Sequence, residues 1–131
     1  AYCVDRAMHL LNQHKKAING AKVLMLGVSY KQDIDDYRES PAIRVYKELK
    51  AVGAEVEYFD PWVPEFKNMY GEAGKSIPAL TPEVIASYDL IMVTCAHTNV
   101  DYEMVQRNAK AIFDTKNAMK NVCPRDNIEV L

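Results

Sequence analysis

Glycine is scarce in this sequence, with five residues among 131. One of them, Gly27, ends the first apolar run, and the next three residues are Val28, Ser29 and Tyr30. The G-x-G-x-x-G fingerprint, which lets the backbone approach the pyrophosphate of a dinucleotide, is therefore missing after this run. The motif that usually marks a dinucleotide site is thus excluded at the first strand-to-helix junction.

Cysteine is also rare, and the three residues present are widely spaced: Cys3, Cys95 and Cys123. No Cys-x-x-Cys pair occurs and the number is odd, so neither a disulfide framework nor a structural zinc site is expected. Cys95 has His97 two residues further on, which is one arrangement for a reactive thiolate. A small buried core residue is the favoured interpretation of Cys95. This cysteine usage is typical of a cytoplasmic protein.

Neither sign of charge dominates, because the sequence contains 16 basic and 18 acidic residues and has a net charge of -2. No broad attraction to nucleic acid or to an anionic membrane is expected, so an anion site must be local. No apolar run reaches the roughly 20 residues that span a bilayer, and no secretory signal opens the sequence. A start at Ala1 without methionine is typical of a fragment of a longer protein.

Helical and strand patterns alternate along the rest of the sequence. Helical spacing of apolar residues, together with capping residues such as Ser40 and Thr81, predicts the helices. Short apolar runs predict buried strands, and the alternating pattern of 54–60 predicts a further strand that ends at Pro61. The segment 61–80, with its prolines and glycines, is predicted to be a long loop. The predicted helices are 2–18, 41–52, 82–87 and 101–108, and the predicted strands are 22–27, 54–60, 89–95, 110–115 and 127–131.

This alternation predicts an α/β fold with a Rossmann-like parallel sheet and helices on both faces. In such sheets, ligands bind beyond the carboxyl ends of the strands. Lys31 follows the first predicted strand, so the sequence places it at the edge where a ligand is expected.

Two cations, Lys31 and Arg38, precede the helix that is predicted to begin near Pro41. The N-terminus of a helix carries a partial positive charge and free N–H groups, so cations beside it favour a phosphate or diphosphate. Four acidic residues, however, lie between positions 31 and 39. Simple ion pairing with these acids is an equally supported interpretation of the two cations.

Three segments resemble a known family, the UDP-glucose/GDP-mannose dehydrogenases, in their C-terminal, UDP-binding domain. The first is VLMLGVSYKQDIDDYRESPA at 23–42, with its aromatic-Lys pair and Arg-Glu-Ser-Pro. The second is GAEVEYFDPWVP at 53–64, and the third is CAHTNVDYEMVQRNAKAIFDTKNA at 95–118. Their order and spacing agree with the family pattern between residues 23 and 118.

The resemblance implies an enzyme that uses two NAD+ to oxidise the C6 alcohol of a nucleotide sugar to a carboxylate, through a thioester on a cysteine. In the family, NAD is bound mainly by an N-terminal domain, and the cysteine lies in a glycine-rich central segment. Neither segment is found here. We therefore expect residues 1–19 to lead in from the absent central region and residues 20–131 to form the UDP-binding Rossmann-like domain. This fragment alone is expected to be inactive, and the full-length protein to be a cytoplasmic homodimer or higher oligomer.

The resemblance also assigns residues. It implies that Tyr30 and Lys31 contact the UDP-sugar and that Arg38 reaches the NAD phosphates from across the interdomain cleft. The resemblance implies that Lys116 is a substrate-binding residue, at a position where the family usually has arginine. Lysine keeps the positive charge, but it lacks the planar guanidinium that donates two parallel hydrogen bonds.

The stretches 97–102 and 60–64 most resemble bacterial UDP-N-acetylglucosamine 6-dehydrogenases of capsule and O-antigen synthesis. UDP-glucose and UDP-N-acetylmannosamine 6-dehydrogenases are the alternatives within the family. A non-catalytic, stand-alone nucleotide-binding domain is the alternative from another class.

Overall fold

The computed structural model describes residues 2–29, 31, 33, 36–38, 40–69 and 71–131. No helix within these residues is long and apolar enough to cross a membrane. In chain order the helices and strands are α1 (Tyr2–Gln13), β1 (Lys22–Leu26), α2 (Pro41–Ala51), β2 (Glu55–Phe59), β3 (Glu65–Met69), β4 (Glu72–Lys75), α3 (Pro82–Ala86), β5 (Leu90–Val93), α4 (Tyr102–Asn108), β6 (Ile112–Asp114) and β7 (Ile128–Val130).

Five strands form one sheet in the order β2-β1-β5-β6-β7, and every neighbouring pair is parallel. The predicted parallel sheet is therefore confirmed. Strand β1 lies between β2 and β5, with Val23 opposite both Val56 and Leu90. The strand order changes direction between β1 and β5, so a crevice for a ligand is expected at their carboxyl ends.

Two apolar layers cover the two faces of the sheet, as predicted. Successive side chains of a strand point to opposite faces, which explains why β1 is apolar and buried from Val23 to Leu26, after the exposed Lys22. Met25 packs with Leu11 of α1 and Ile43 of α2 in one layer. Leu24 packs with Ile85 of α3 and Val105 of α4 in the other.

Helix α1 ends at Gln13, five residues before the predicted end at position 18. Lys15 has a left-handed backbone with φ 59°, and the N–H of Lys16 donates to the carbonyl of Leu11 at 3.0 Å. This left-handed residue closes the helix in the way that a C-terminal cap does. The prediction of a helix to residue 18 was wrong because the cap is not a glycine.

The predicted loop at 61–80 contains a two-stranded antiparallel sheet formed by β3 and β4. Phe66 of β3 is 1% exposed and packs against Tyr46 and Tyr58, each with a ring-centroid distance of 5.5 Å. A Cβ added at Gly74 would lie 2.9 Å from the Phe66 ring, so glycine makes room for that ring. The prediction of an irregular loop was therefore wrong over these two strands.

Candidate functional site

A cleft of about 500 Å³ lies at the carboxyl ends of β1 and β5, where the strand order changes direction. Four segments form its walls. They are the loop after β1, the beginning of α2, the end of β5 and the loop after β6. The lining residues are Ser29, Lys31, Ser40, Pro41, Ala42, Thr94, Cys95, Ala96 and Lys116.

Two exposed lysines, Lys31 and Lys116, line this one cleft. They follow β1 and β6, which are separated in the sheet by β5 alone. Two cationic side chains thus lie at one cleft in a chain whose net charge is -2. This arrangement favours an anionic ligand, and two lysines suit the two phosphates of a diphosphate.

The beginning of helix α2 adds to the positive character of the cleft. Ser40 is the N-cap residue, yet its side chain makes no capping hydrogen bond. Its hydroxyl donates instead to the carbonyl oxygen of Ser29 at 3.4 Å. The first N–H groups of a helix have no partner within the helix, and they carry part of the positive end of its dipole. The end of α2 that lines the cleft is therefore suited to an anion.

The floor of the cleft is held by very close packing between the ends of β1 and β5. Gly27 has φ +94°, and a Cβ added there would lie 2.5 Å from the Cβ of Cys95. The hydroxyl of Thr94 donates to the carbonyl of Gly27 at 2.6 Å, and the N–H of Cys95 donates to Leu26 at 3.1 Å. Only glycine allows both this backbone conformation and this approach.

Asp60, at the end of β2, holds the loop that leaves β1. Its carboxylate is fully buried and accepts the N–H groups of Val28 at 2.8 Å and Ser29 at 3.2 Å. The other carboxylate oxygen accepts the N–H of Trp62 at 2.8 Å, which closes a turn at Asp60-Pro61. One acid therefore fixes two loops at the carboxyl edge of the sheet.

His97 joins the same network from the loop after β5, with a ring that is 1% exposed. Its Nε2 lies 2.9 Å from the Asp60 carboxylate, and its Nδ1 accepts the backbone N–H of Asp33 at 2.7 Å. Burial lowers the pKa of His97, but the hydrogen bonds to Asp60 and Cys95 outweigh burial and raise the pKa to about 9. The Asp33 N–H can donate only to an unprotonated Nδ1, so despite this raised pKa the hydrogen-bond geometry is that of the neutral ring with its proton on Nε2.

A second buried acid, Asp114, positions Lys116 at the end of β6. Its carboxylate accepts the N–H groups of Lys116 at 3.1 Å, Ala118 at 3.1 Å and Met119 at 2.9 Å. Asp114 is fully buried, so these hydrogen bonds are shielded from water. The backbone of Lys116 is thus as firmly placed as that of Ser29 in the loop after β1.

Comparison with known proteins decides the family. Residues 24–121 match the model for the UDP-glucose/GDP-mannose dehydrogenase family, UDP binding domain. The chain belongs to the UDP-glucose/GDP-mannose dehydrogenase family. The resemblance of the three sequence segments is therefore confirmed.

Relatives within the family act on several nucleotide sugars. A UDP-N-acetyl-D-glucosamine 6-dehydrogenase of Pseudomonas aeruginosa is 30% identical over 122 residues, which is 88% of this chain and 28% of the relative. A UDP-N-acetyl-D-mannosamine dehydrogenase of Methanococcus maripaludis is 31% identical over 130 residues, 92% of this chain and 28% of the relative. The chain thus spans little more than a quarter of these relatives.

Solved structures of the family share the fold. The UDP-N-acetyl-mannosamine dehydrogenase of Staphylococcus aureus has 29% identity and a TM-score of 0.64, over 99% of this chain and 28% of its own. An NDP-N-acetyl-D-galactosaminuronic acid dehydrogenase of Methanosarcina mazei has a TM-score of 0.78 at 22% identity, over 99% of this chain and 28% of its own. The second likeness shows the fold alone.

Of the four site residues that the family resemblance implies, the structure brings Lys31 and Lys116 together in the cleft. Arg38 is not among the residues that line this cleft. Its side chain is 81% exposed, and its Nε lies 3.1 Å from the Asp36 carboxylate. The hydrogen bonds from Arg38 hold the pKa of Asp36 below its usual value. Tyr30, the fourth residue, lies outside the described residues.

Several residues of the site were not predicted from the sequence. Thr94 directly follows β5 and Ser29 lies in the loop shortly after β1, and this position beyond buried strands is the signal that would have indicated them. Cys95 is 4% exposed, which confirms that it is buried, but it also lines the cleft. Among the residues that the structure describes, no three His, Cys, Asp or Glu side chains are grouped so as to hold a metal ion.

Proposed function

We propose that this chain is the nucleotide-sugar-binding part of an NAD-dependent UDP-sugar 6-dehydrogenase, which oxidises the C6 alcohol to a carboxylate. The observation that carries the proposal is the convergence of Lys31, Lys116 and the beginning of α2 on one cleft. Family membership supports UDP as the nucleotide. In this proposal the two lysines bind the diphosphate, and Tyr30 contacts the nucleotide sugar beside Lys31.

Arg38 has a different proposed role, at the NAD phosphates. Its exposure and its position outside the cleft lining are compatible with a ligand that approaches from another domain. In the full-length protein, NAD would be bound mainly by an N-terminal domain, and the two domains would face each other across the substrate. We propose a cytoplasmic homodimer or higher oligomer for that protein.

UDP-N-acetylglucosamine is the proposed substrate, in capsule or O-antigen synthesis. Its support is the similarity to the Pseudomonas relative and to a UDP-N-acetyl-D-glucosamine 6-dehydrogenase of Salmonella typhi, 41% identical over 88 residues. UDP-N-acetylmannosamine is the second candidate, because relatives that act on it are about as similar over most of the chain. UDP-glucose is the third, since its dehydrogenases match over shorter stretches.

The test of nucleotide binding is a calorimetric titration of the chain with UDP, with uridine and with inorganic pyrophosphate. We expect UDP to bind with a Kd in the millimolar range, equivalent to about 4 kcal/mol, since the rest of the substrate site is supplied by other regions. Uridine should bind more weakly because it lacks the diphosphate that the lysines recognise. Equal affinity for UDP and uridine would contradict a diphosphate site.

The chain alone should not turn over UDP-N-acetylglucosamine with NAD+, as followed by NADH absorbance. Joined to the remainder of its full-length protein, it should. NADH formation by the purified 131-residue chain above background would overturn the division of roles between the domains.

A further inference from the structure

We infer that His97 is a positioning residue that holds the Lys31 segment at the cleft through the hydrogen bond from the Asp33 amide to Nδ1. The inference rests on the proposed function, because it assumes that Lys31 binds the diphosphate. It assigns to His97 an effect on ligand binding, although the ring is buried and is not among the residues that line the cleft.

The segment that carries Lys31 is attached on both sides of the lysine. Before it, the backbone N–H of Ser29 is held by Asp60, and the Ser29 hydroxyl donates to the carbonyl of Lys31 at 2.7 Å. After it, the N–H of Asp33 donates to His97 Nδ1 at 2.7 Å. The Asp33 carboxylate also accepts the N–H and the hydroxyl of Thr98, each at 2.9 Å. Residues 97 and 98 are therefore the attachment point that follows the lysine.

A neutral imidazole suits this place because it offers one donor and one acceptor on opposite sides of a rigid ring. The donor side faces Asp60, which is fully buried and holds the start of the loop. The acceptor side faces Asp33, which follows Lys31. One ring thus joins the end of β2, the loop after β1 and the loop after β5.

The alternative is that His97 serves only as a buried partner for the Asp60 carboxylate. Both roles predict a loss of stability when the ring is removed. They differ at Nδ1, since a partner for Asp60 needs Nε2 alone, whereas a positioning residue needs the acceptor that faces Asp33.

Two substitutions separate the two ring nitrogens. His97→Gln can place an amide N–H near the former Nε2 and so keep a donor for Asp60, but it has no acceptor at the former Nδ1. His97→Asn can place its carbonyl oxygen near the former Nδ1 and so accept the Asp33 N–H, but it does not reach Asp60. His14→Gln, at an exposed histidine, is the control for the general effect of replacing histidine by glutamine.

The first measurement is hydrogen exchange of the Asp33 amide by NMR, with thermal melts to show that each variant is folded. We expect protection of this amide in the native chain and in His97→Asn, and its loss in His97→Gln. Undiminished protection of Asp33 in folded His97→Gln would overturn the inference. This readout involves no ligand, so it decides the role of Nδ1 even if UDP does not bind.

The second measurement is the Kd of UDP, with Lys31→Ala combined with each variant. A mobile lysine loses most of one charge-assisted hydrogen bond, so His97→Gln should weaken UDP binding about tenfold and His97→Asn should restore most of the affinity. In the Lys31→Ala background, His97→Gln should have no further effect, because it acts through that lysine. A tenfold effect that persists without Lys31 would refute the positioning role. Failure of the native chain to bind UDP would count against the proposed function instead.

Discussion

Replacement of Gly27 by alanine tests whether the close approach of β1 and β5 holds the floor of the cleft. A side chain at φ +94° is strained by about 1–2 kcal/mol. The added Cβ would also lie 2.5 Å from Cys95 Cβ and 3.0 Å from the Cys95 carbonyl oxygen, and overpacking of this kind costs about 1–3 kcal/mol. The free energy of unfolding of Gly27→Ala should therefore fall by about 2–5 kcal/mol.

Gly20→Ala is the matched control for this substitution. Gly20 has a similar φ of +86°, but a Cβ there meets nothing within 4 Å. Only the backbone strain of about 1–2 kcal/mol is then expected. Urea denaturation of both variants, read by circular dichroism, separates the strain from the contact with Cys95.

A second control removes the other partner of the contact. Cys95→Gly deletes the nearest clashing atom, so the double variant should be more stable than the sum of the single effects, by about 0.5–3 kcal/mol. Equal losses for Gly27→Ala and Gly20→Ala, or strict additivity with Cys95→Gly, would refute the steric account of the cleft floor.

The remaining predictions concern the charged residues. Lys31→Ala and Lys116→Ala should each weaken UDP binding about ten- to a hundredfold in calorimetry, because a hydrogen bond to a charged group contributes roughly 1.5–3 kcal/mol. Lys120→Ala, at an exposed lysine that does not line the cleft, is the control and should leave the Kd for UDP unchanged. Arg38→Ala should change the stability of the chain by less than about 1 kcal/mol, since exposed ion pairs contribute little, yet raise the KM for NAD+ in steady-state kinetics of the full-length enzyme. An unchanged KM would remove Arg38 from the cofactor site. Asp60→Asn should lower the free energy of unfolding, measured in urea, by about 1–3 kcal/mol for each buried N–H that loses its acceptor. A loss below about 1 kcal/mol would show that the hydrogen bonds to the Asp60 carboxylate do not stabilise the fold.

The centre of the sheet was predictable because the strands β1, β5 and β6 are buried on both faces. Such strands give continuous apolar runs, as in β1 and β5, and the helices between them require parallel crossovers. The hairpin of β3 and β4 gave no such signal. Its core contribution rests largely on Phe66, while Glu65 and Lys67 on either side of it are exposed.

Part of the cleft was predictable from chain order. Lys31 lies in the loop shortly after the first strand, so its place at the carboxyl edge required no tertiary information. The proximity of Lys116 to the same cleft depends on β6 lying next to β5, a pairing that local pattern does not determine. The hydrogen bond between Asp33 and His97 joins residues that are far apart in sequence, and neither the composition nor the spacing of this chain indicates it.

Titration of the 15N-labelled chain with UDP, followed by amide chemical shifts, tests the central claim most directly. The account predicts that the shifts cluster at the four segments that form the cleft, represented by Lys31, Ala42, Cys95 and Lys116. Uridine should produce much smaller changes at the two lysines than UDP does. Shifts confined to α1 or to the hairpin of β3 and β4, or none at UDP concentrations well above millimolar, would contradict a diphosphate site in this cleft.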